Sequence, residues 1–323
     1  MYRVGSLNGH IMTPYKYPEK YPVTNTVINY MRKKYFLYQN TYNVILDSYS
    51  DRHFAFCEEI LELLRQKCKT EEKFIDSLDA FIKFSHEYLL LQSKLEKEGK
   101  YVCSSFGEVN DKVYQEETVM ENYYLDGMLL SQALWPNHCK MCQYFIGLNY
   151  LTGPSSCILD VPSGAGIYTY LTVKHFKFKG LLSVDISPYA RMYTENILKN
   201  SGMDMGNVFL ETADFSVVDN GKKYDLIICG ELLEHVENPS SILDKLNTIL
   251  KEDGTIFLTT AVYAAAIDHI YLFNNVDEVR HMLSDVFHVS KELILPLSGR
   301  VYKPDMHKVP INYACLLKKR VPS

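Results

Sequence analysis

The chain has 323 residues, with 34 Lys and Arg against 39 Asp and Glu, a formal net charge of −5 at neutral pH. That balance argues against a general nucleic-acid binder, which needs a positive surface. The short run Arg32-Lys33-Lys34 reads as a solvated helix face. No apolar stretch is long enough to span a membrane and the N-terminus has no apolar signal core, so a cytoplasmic location with no membrane partner is expected.

Taken in chain order, residues 1 to about 45 read as an extended, proline-punctuated arm running into a helix near 27–38. Apolar residues then recur at helical spacing from about 50 to 98, as in Phe56-Cys57-Glu58-Glu59-Ile60-Leu61-Glu62-Leu63-Leu64. A second helix there opens on Glu71 and Glu72 and stops at Gly99, and further helices are expected over about 112–132 and 137–150. From Cys157 the pattern switches. Short apolar runs at 157–161, 180–184, 208–210, 224–229, 255–260, 293–295 and 311–317 alternate with helical segments. This is the grammar of βαβ units, and it predicts an α/β protein with a doubly wound, seven-stranded, mostly parallel sheet. The boundary is placed near residue 150, at the turn Gly153-Pro154-Ser155-Ser156, giving a helical domain over 1–150 and a sheet domain over 151–323.

The eight cysteines are scattered, several inside apolar runs, and read as free thiols. His138-Cys139-Lys140-Met141-Cys142 pairs a CxxC with a histidine but lacks the second ligand pair of a zinc site, so no metal is expected.

The richest stretch is Ile158-Leu159-Asp160-Val161-Pro162-Ser163-Gly164-Ala165-Gly166-Ile167-Tyr168, a buried strand ending in an acid, a glycine turn and a helix start. Gly164 and Gly166 permit positive φ and close approach of a ligand. A dinucleotide site wants a third glycine where Thr169 stands, and Asp160 would repel a diphosphate. A cationic ligand would welcome that carboxylate.

The segment resembles motif I of the class I S-adenosylmethionine-dependent methyltransferases, with Pro162 at the motif's first glycine. The similarity runs in order through about 157–317. Asp185, followed by Ile186, resembles the acid that holds the cofactor's ribose hydroxyls, and Asp214-Phe215 resembles the pair that meets the adenine. The run from Tyr224 through Gly230-Glu231-Leu232-Leu233-Glu234-His235 resembles the fourth strand and its continuation, with Glu231 facing the cofactor. The resemblance implies a Rossmann-like fold with an antiparallel last strand, S-adenosyl-L-methionine as cofactor, and methyl transfer to a small-molecule acceptor such as an amino acid or natural-product intermediate.

Methyl transfer is an in-line displacement, and a base matters only where the nucleophile carries a proton. His269 is the first candidate, assisted by Asp268 and Tyr263, and His235 the second. Tyr123, Trp135 and His138, in the densest aromatic-polar segment of the helical part, are expected to face the acceptor. Asp268 alone does not make a metal-dependent enzyme. The motifs of DNA base methylation are missing after the fourth strand, so no nucleic-acid acceptor is expected. Two other readings stay open: an enzyme that attacks the cofactor's aminocarboxypropyl chain, by transfer or by cyclisation to azetidine-2-carboxylate, and a non-catalytic binding partner. A homodimer is left open.

Overall fold

A computed structural model describes residues 19–34, 49–215 and 221–320. The expected arm over 1 to about 45 lies largely outside them. A helix is present there as α1 (Pro22–Lys34), which opens five residues before the expected start at 27, while 35–38 lie outside the described residues.

Two long helices follow, α2 (Asp51–Cys68) and α3 (Glu71–Glu98). Thr70 caps α3 by accepting the Lys73 N–H at 3.3 Å. Gly99, at φ 72°, ends it by donating to the Leu95 carbonyl. The predicted third helix is broken. Residues Asn110–Tyr114 and Met120–Tyr124 form π-helical turns, and only Leu125–Leu134 runs on as the regular helix α4. Each π turn carries a tyrosine at its end, with consequences for the site below. Pro136 at the first turn opens α5 (Pro136–Ile146).

The second half alternates β1 (Cys157–Asp160), α6 (Ile167–His175), β2 (Gly180–Asp185), α7 (Pro188–Asn200), β3 (Val208–Thr212) and β4 (Tyr224–Gly230). It continues with α8 (Pro239–Ile249), β5 (Leu250–Val262), α9 (Val276–Ser284), β6 (Phe287–Pro296) and β7 (Ile311–Lys319). The sheet has seven strands in the order β3-β2-β1-β4-β5-β7-β6. β1 to β5 are parallel, and β7 runs antiparallel between β5 and β6.

Alternation along the strands sorts the core into two layers. Ile158, Leu181, Leu226, Ile228 and Phe257 face one side, where they pack with residues of α1 to α7. Leu159, Leu182, Ile227, Cys229 and Leu258 face the other, against α8, α9 and the end of α3. One apolar core thus runs from the N-terminal helices into the sheet. α5 packs on β6, β7 and α6, while α2 reaches α7. Among the described residues no helix is long and apolar enough to cross a membrane.

Candidate active site

Because β1, β2, β4 and β5 are parallel, their carboxyl ends meet at one edge, where open α/β sheets bind ligands. The turn between β1 and α6 lies there. Gly164 and Gly166 take φ values of +51° and +75°. A Cβ on Gly166 would stand 2.8 Å from Thr194 Oγ1, so this position needs glycine for space as well as for conformation.

Asp185, at the tip of β2, holds the turn in shape. Its Oδ2 accepts the Gly164 N–H at 2.8 Å and the Ser163 hydroxyl at 3.4 Å, and its Oδ1 accepts the Ser187 N–H at 2.9 Å. Burial pushes the Asp185 carboxyl above the usual carboxylate range, against the pull of these donors. The Ala213 N–H donates to the Asp185 carbonyl at 2.9 Å, which sets Asp214 and Phe215 beside the same tip. Phe215 is buried. The π turn ending in Tyr114 closes over this corner: Ser187 Oγ donates to the Tyr114 carbonyl at 2.7 Å, and Gln115 reaches the Ile186 carbonyl at 3.4 Å.

Asp160, at the tip of β1, is completely buried. Its Oδ2 accepts from Thr169 Oγ1 at 2.5 Å, so it braces the first turn of α6, and its Oδ1 has no partner. Enclosure without a cation raises its pKa to about 7. Pro162 sits in the turn itself, after a cis peptide bond.

Beyond β4 and β5 the structure assembles a cluster of acids, imidazoles and phenols. His235 Nδ1 lies 3.3 Å from Asp268 Oδ2 and 3.1 Å from the Asp268 carbonyl. Tyr114 donates to Asp268 Oδ2 at 2.9 Å with its oxygen 3.0 Å from His235 Nδ1, and Tyr124 donates to the same carboxylate oxygen. The rings of His235 and His269 meet edge to face, 4.8 Å between centroids. His269 Nδ1 lies 2.8 Å from the Ala264 carbonyl, which can only accept, so Nδ1 carries the proton and Nε2 is bare in the neutral ring. Glu234 is fully buried and accepts from Thr260 Oγ1 at 2.6 Å and from the Ala261 N–H at 3.0 Å.

The charges of this cluster are coupled. Burial disfavours a charged His235, but Asp268, Glu234 and Glu231 outweigh it and raise the imidazole to about 9. Burial also opposes ionisation of Asp268, yet His235, His269 and Tyr124 hold its carboxyl well below the usual range. Burial first, and the His235 charge next, lower His269 and favour its neutral form. Glu231 is pushed well above the usual range by burial and by Glu234 beside it. Its backbone has φ 50°, a conformation a non-glycine residue holds only when its surroundings impose it. Here the Glu231 N–H is fixed by the Thr259 carbonyl at 3.0 Å and hydroxyl at 3.1 Å.

His235, Asp268 and His269 therefore come together. Tyr263 contributes differently: its backbone accepts from Gln92 at 3.1 Å and donates to the Phe273 carbonyl at 2.9 Å, which shapes the loop carrying His269. Trp135 packs among Phe81, Phe84, Tyr88 and His138. His138 bonds with Ser131 at 3.0 Å and Asn312 at 3.3 Å, and burial lowers it to about 4. Tyr123 donates to Glu87 at 2.6 Å. These three stand in the helical layer, and none of their hydrogen bonds reaches the cluster. Tyr114, Tyr124 and Glu234 are the members that sequence reasoning missed. The density of tyrosines pointed at the right segment, one position away from Tyr124.

A seven-stranded sheet with β7 antiparallel, carrying a glycine turn at the tip of β1 and an acid at the tip of β2, makes a Rossmann-like α/β fold. Residues 138–289 match the family model described as a methyltransferase domain. The chain is 34% identical over 146 residues to the ubiquinone biosynthesis O-methyltransferase of Glaesserella parasuis, covering 43% of this chain and 59% of that protein. It is 28% identical over 101 residues to (S)-coclaurine N-methyltransferase of Papaver somniferum, covering 31% of this chain and 28% of that one. The chain spans about half the length of the first curated relatives it matches. Among solved structures, N-methyltransferase NodS from Bradyrhizobium japonicum with S-adenosyl-L-homocysteine gives a TM-score of 0.44 at 16% identity, over 57% of this chain and 88% of that one.

Proposed function

We propose that the protein transfers a methyl group from S-adenosylmethionine to a small-molecule acceptor. The observation that carries this reading is the enclosed cluster of His235, Asp268 and His269 beside the carboxyl ends of β4 and β5, at the same edge as the glycine turn. Asp268 and His269 are 1% and 6% exposed beneath Tyr101, Tyr114 and Tyr124, a setting that suits a metabolite better than a macromolecule. The relatives named above carry small-molecule names, one after ubiquinone biosynthesis and one after (S)-coclaurine. Free thiols at all eight cysteines suit a reducing, cytoplasmic setting.

In this reading the glycine turn, Asp185, Asp214 and Phe215 seat the cofactor. The helical segment around Tyr114 closes over it and excludes water. As the acceptor's nucleophilic atom bonds to the methyl carbon, the sulfonium–carbon bond breaks and S-adenosylhomocysteine leaves. Holding the two reactants in line supplies most of the acceleration. The acceptor's proton needs a neutral base, and His269, oriented through the Ala264 carbonyl, offers Nε2.

The test is incubation of the full chain with S-adenosylmethionine and a panel of phenols, catechols and amines, followed by mass spectrometry. Acceptor-dependent S-adenosylhomocysteine with a matching methylated product is expected. Methylthioadenosine formed without acceptor would replace methyl transfer by attack on the aminocarboxypropyl chain.

A further inference from the structure

Glu234, His235 and His269 each offer one ligand atom, and the three atoms lie within 4.8 Å of one another. We propose that these side chains, completed by Glu231, bind one divalent transition-metal ion, and that an oxygen of the acceptor ligates this ion.

Both imidazoles are oriented as metal ligands usually are. A ligating histidine directs its other ring nitrogen to a carboxylate or carbonyl, which fixes the tautomer and frees the opposite nitrogen. His269 directs Nδ1 to the Ala264 carbonyl at 2.8 Å. His235 directs Nδ1 to the Asp268 carbonyl at 3.1 Å and the Asp268 carboxylate at 3.3 Å. Tyr114 and Tyr124 fix Asp268 in turn, so the outer layer is itself hydrogen-bonded. Glu234 is held by Thr260 and Ala261, and each of its oxygens keeps a lone pair.

One further observation points to an unmet ligand. Glu231 Oε1 is buried and has no hydrogen-bond partner, although buried polar atoms are paired as a rule. Two imidazoles with carboxylates form a donor set for zinc, cobalt or manganese, whereas magnesium and calcium favour all-oxygen cages.

The ion would take over activation of the acceptor. A hydroxyl on a divalent cation loses its proton far more readily than in water. The proton passes to solvent on ligation, the oxygen then forms its bond to the methyl carbon, and the sulfonium–carbon bond breaks to release S-adenosylhomocysteine. This favours oxygen acceptors, above all those with a second oxygen that can chelate. The acceptor class rests on the methyltransferase reading; the metal site stands without it.

The experiment uses the untagged full chain, stripped with EDTA and desalted. It is titrated with Mn2+ followed by electron paramagnetic resonance, and with Co2+ followed by its visible absorption. One equivalent of each should bind, with Co2+ giving the bands of a nitrogen- and oxygen-ligated ion. His269→Gln and Glu234→Gln should each weaken binding more than about tenfold, and Tyr114→Phe, which changes only the outer layer, by about 10-fold. Circular dichroism and S-adenosylhomocysteine binding verify folding, and Tyr114→Phe serves as the test if a ligand variant fails to fold. Absence of stoichiometric Mn2+, Co2+ and Zn2+ binding, or affinity unchanged in folded variants, overturns the site. Methyl transfer that persists at full rate after stripping overturns the metal but leaves the proposed function; metal binding without any methyl transfer does the reverse.

Discussion

Asp268 Oδ2 lies 3.3 Å from His235 Nδ1 and also accepts from the hydroxyls of Tyr114 and Tyr124, so one buried oxygen ties two helical-region tyrosines to the loops after β4 and β5. Removing the Asp268 charge takes the ion-pair partner from His235 in the interior. Asp268→Ala should therefore cost about 3–5 kcal/mol of stability, and Tyr124→Phe about 1–2 kcal/mol, as midpoint shifts in urea denaturation.

Asp160 gives the fold a pH dependence of definite sign. Its value of about 7 lies above the 3.8 of a free side chain, so the native state holds a proton that the unfolded chain has lost between these limits. Stability from this residue is present below about pH 4 and falls as pH rises through 7. Asp160→Asn keeps an acceptor for Thr169 without the charge. Thermal melts should show the variant about 2–4 kcal/mol more stable than wild type at pH 8, with the gap closing towards pH 4. Parallel pH profiles would contradict this account of Asp160.

Gly166 combines φ 75° with a Cβ position 2.8 Å from Thr194. Gly166→Ala should destabilise the domain by about 1–3 kcal/mol and weaken S-adenosylhomocysteine binding, measured by denaturation and calorimetry. Gly99→Ala, equally left-handed but with open space around it, should cost only about 1 kcal/mol and leave cofactor affinity intact.

Asp126 joins the helical part to α7. It accepts from Lys67 at 2.5 Å, from Tyr193 at 2.6 Å and from Ser77 at 2.5 Å, and it is buried. Asp126→Ala strands these donors and should cost about 3–5 kcal/mol in chemical denaturation, against about 1 kcal/mol for Ser77→Ala.

Where chemistry was local, the sequence was readable. Gly164 and Gly166 announced their positive φ, and β1, β2 and β4 stood out because parallel central strands are apolar on both faces. β6 was seen only at residues 293–295, yet it spans Phe287–Pro296. It is an edge strand with one neighbour, β7, and its exposed residues Ser290, Lys291 and Glu292 conceal its length. The cluster was harder still. Tyr124 and Tyr114 meet Asp268 across 144 and 154 residues, a proximity created by the π turns and by no local pattern.

The central claim is that the crevice beside the glycine turn holds S-adenosylmethionine through Asp185. Calorimetric titration of S-adenosylhomocysteine into the full chain and into Asp185→Ala measures this directly. One molecule should bind per wild-type chain, with binding lost in a variant that still unfolds cooperatively. Equal affinity in both proteins, or a nicotinamide or flavin dinucleotide recovered from the purified wild type, would contradict it.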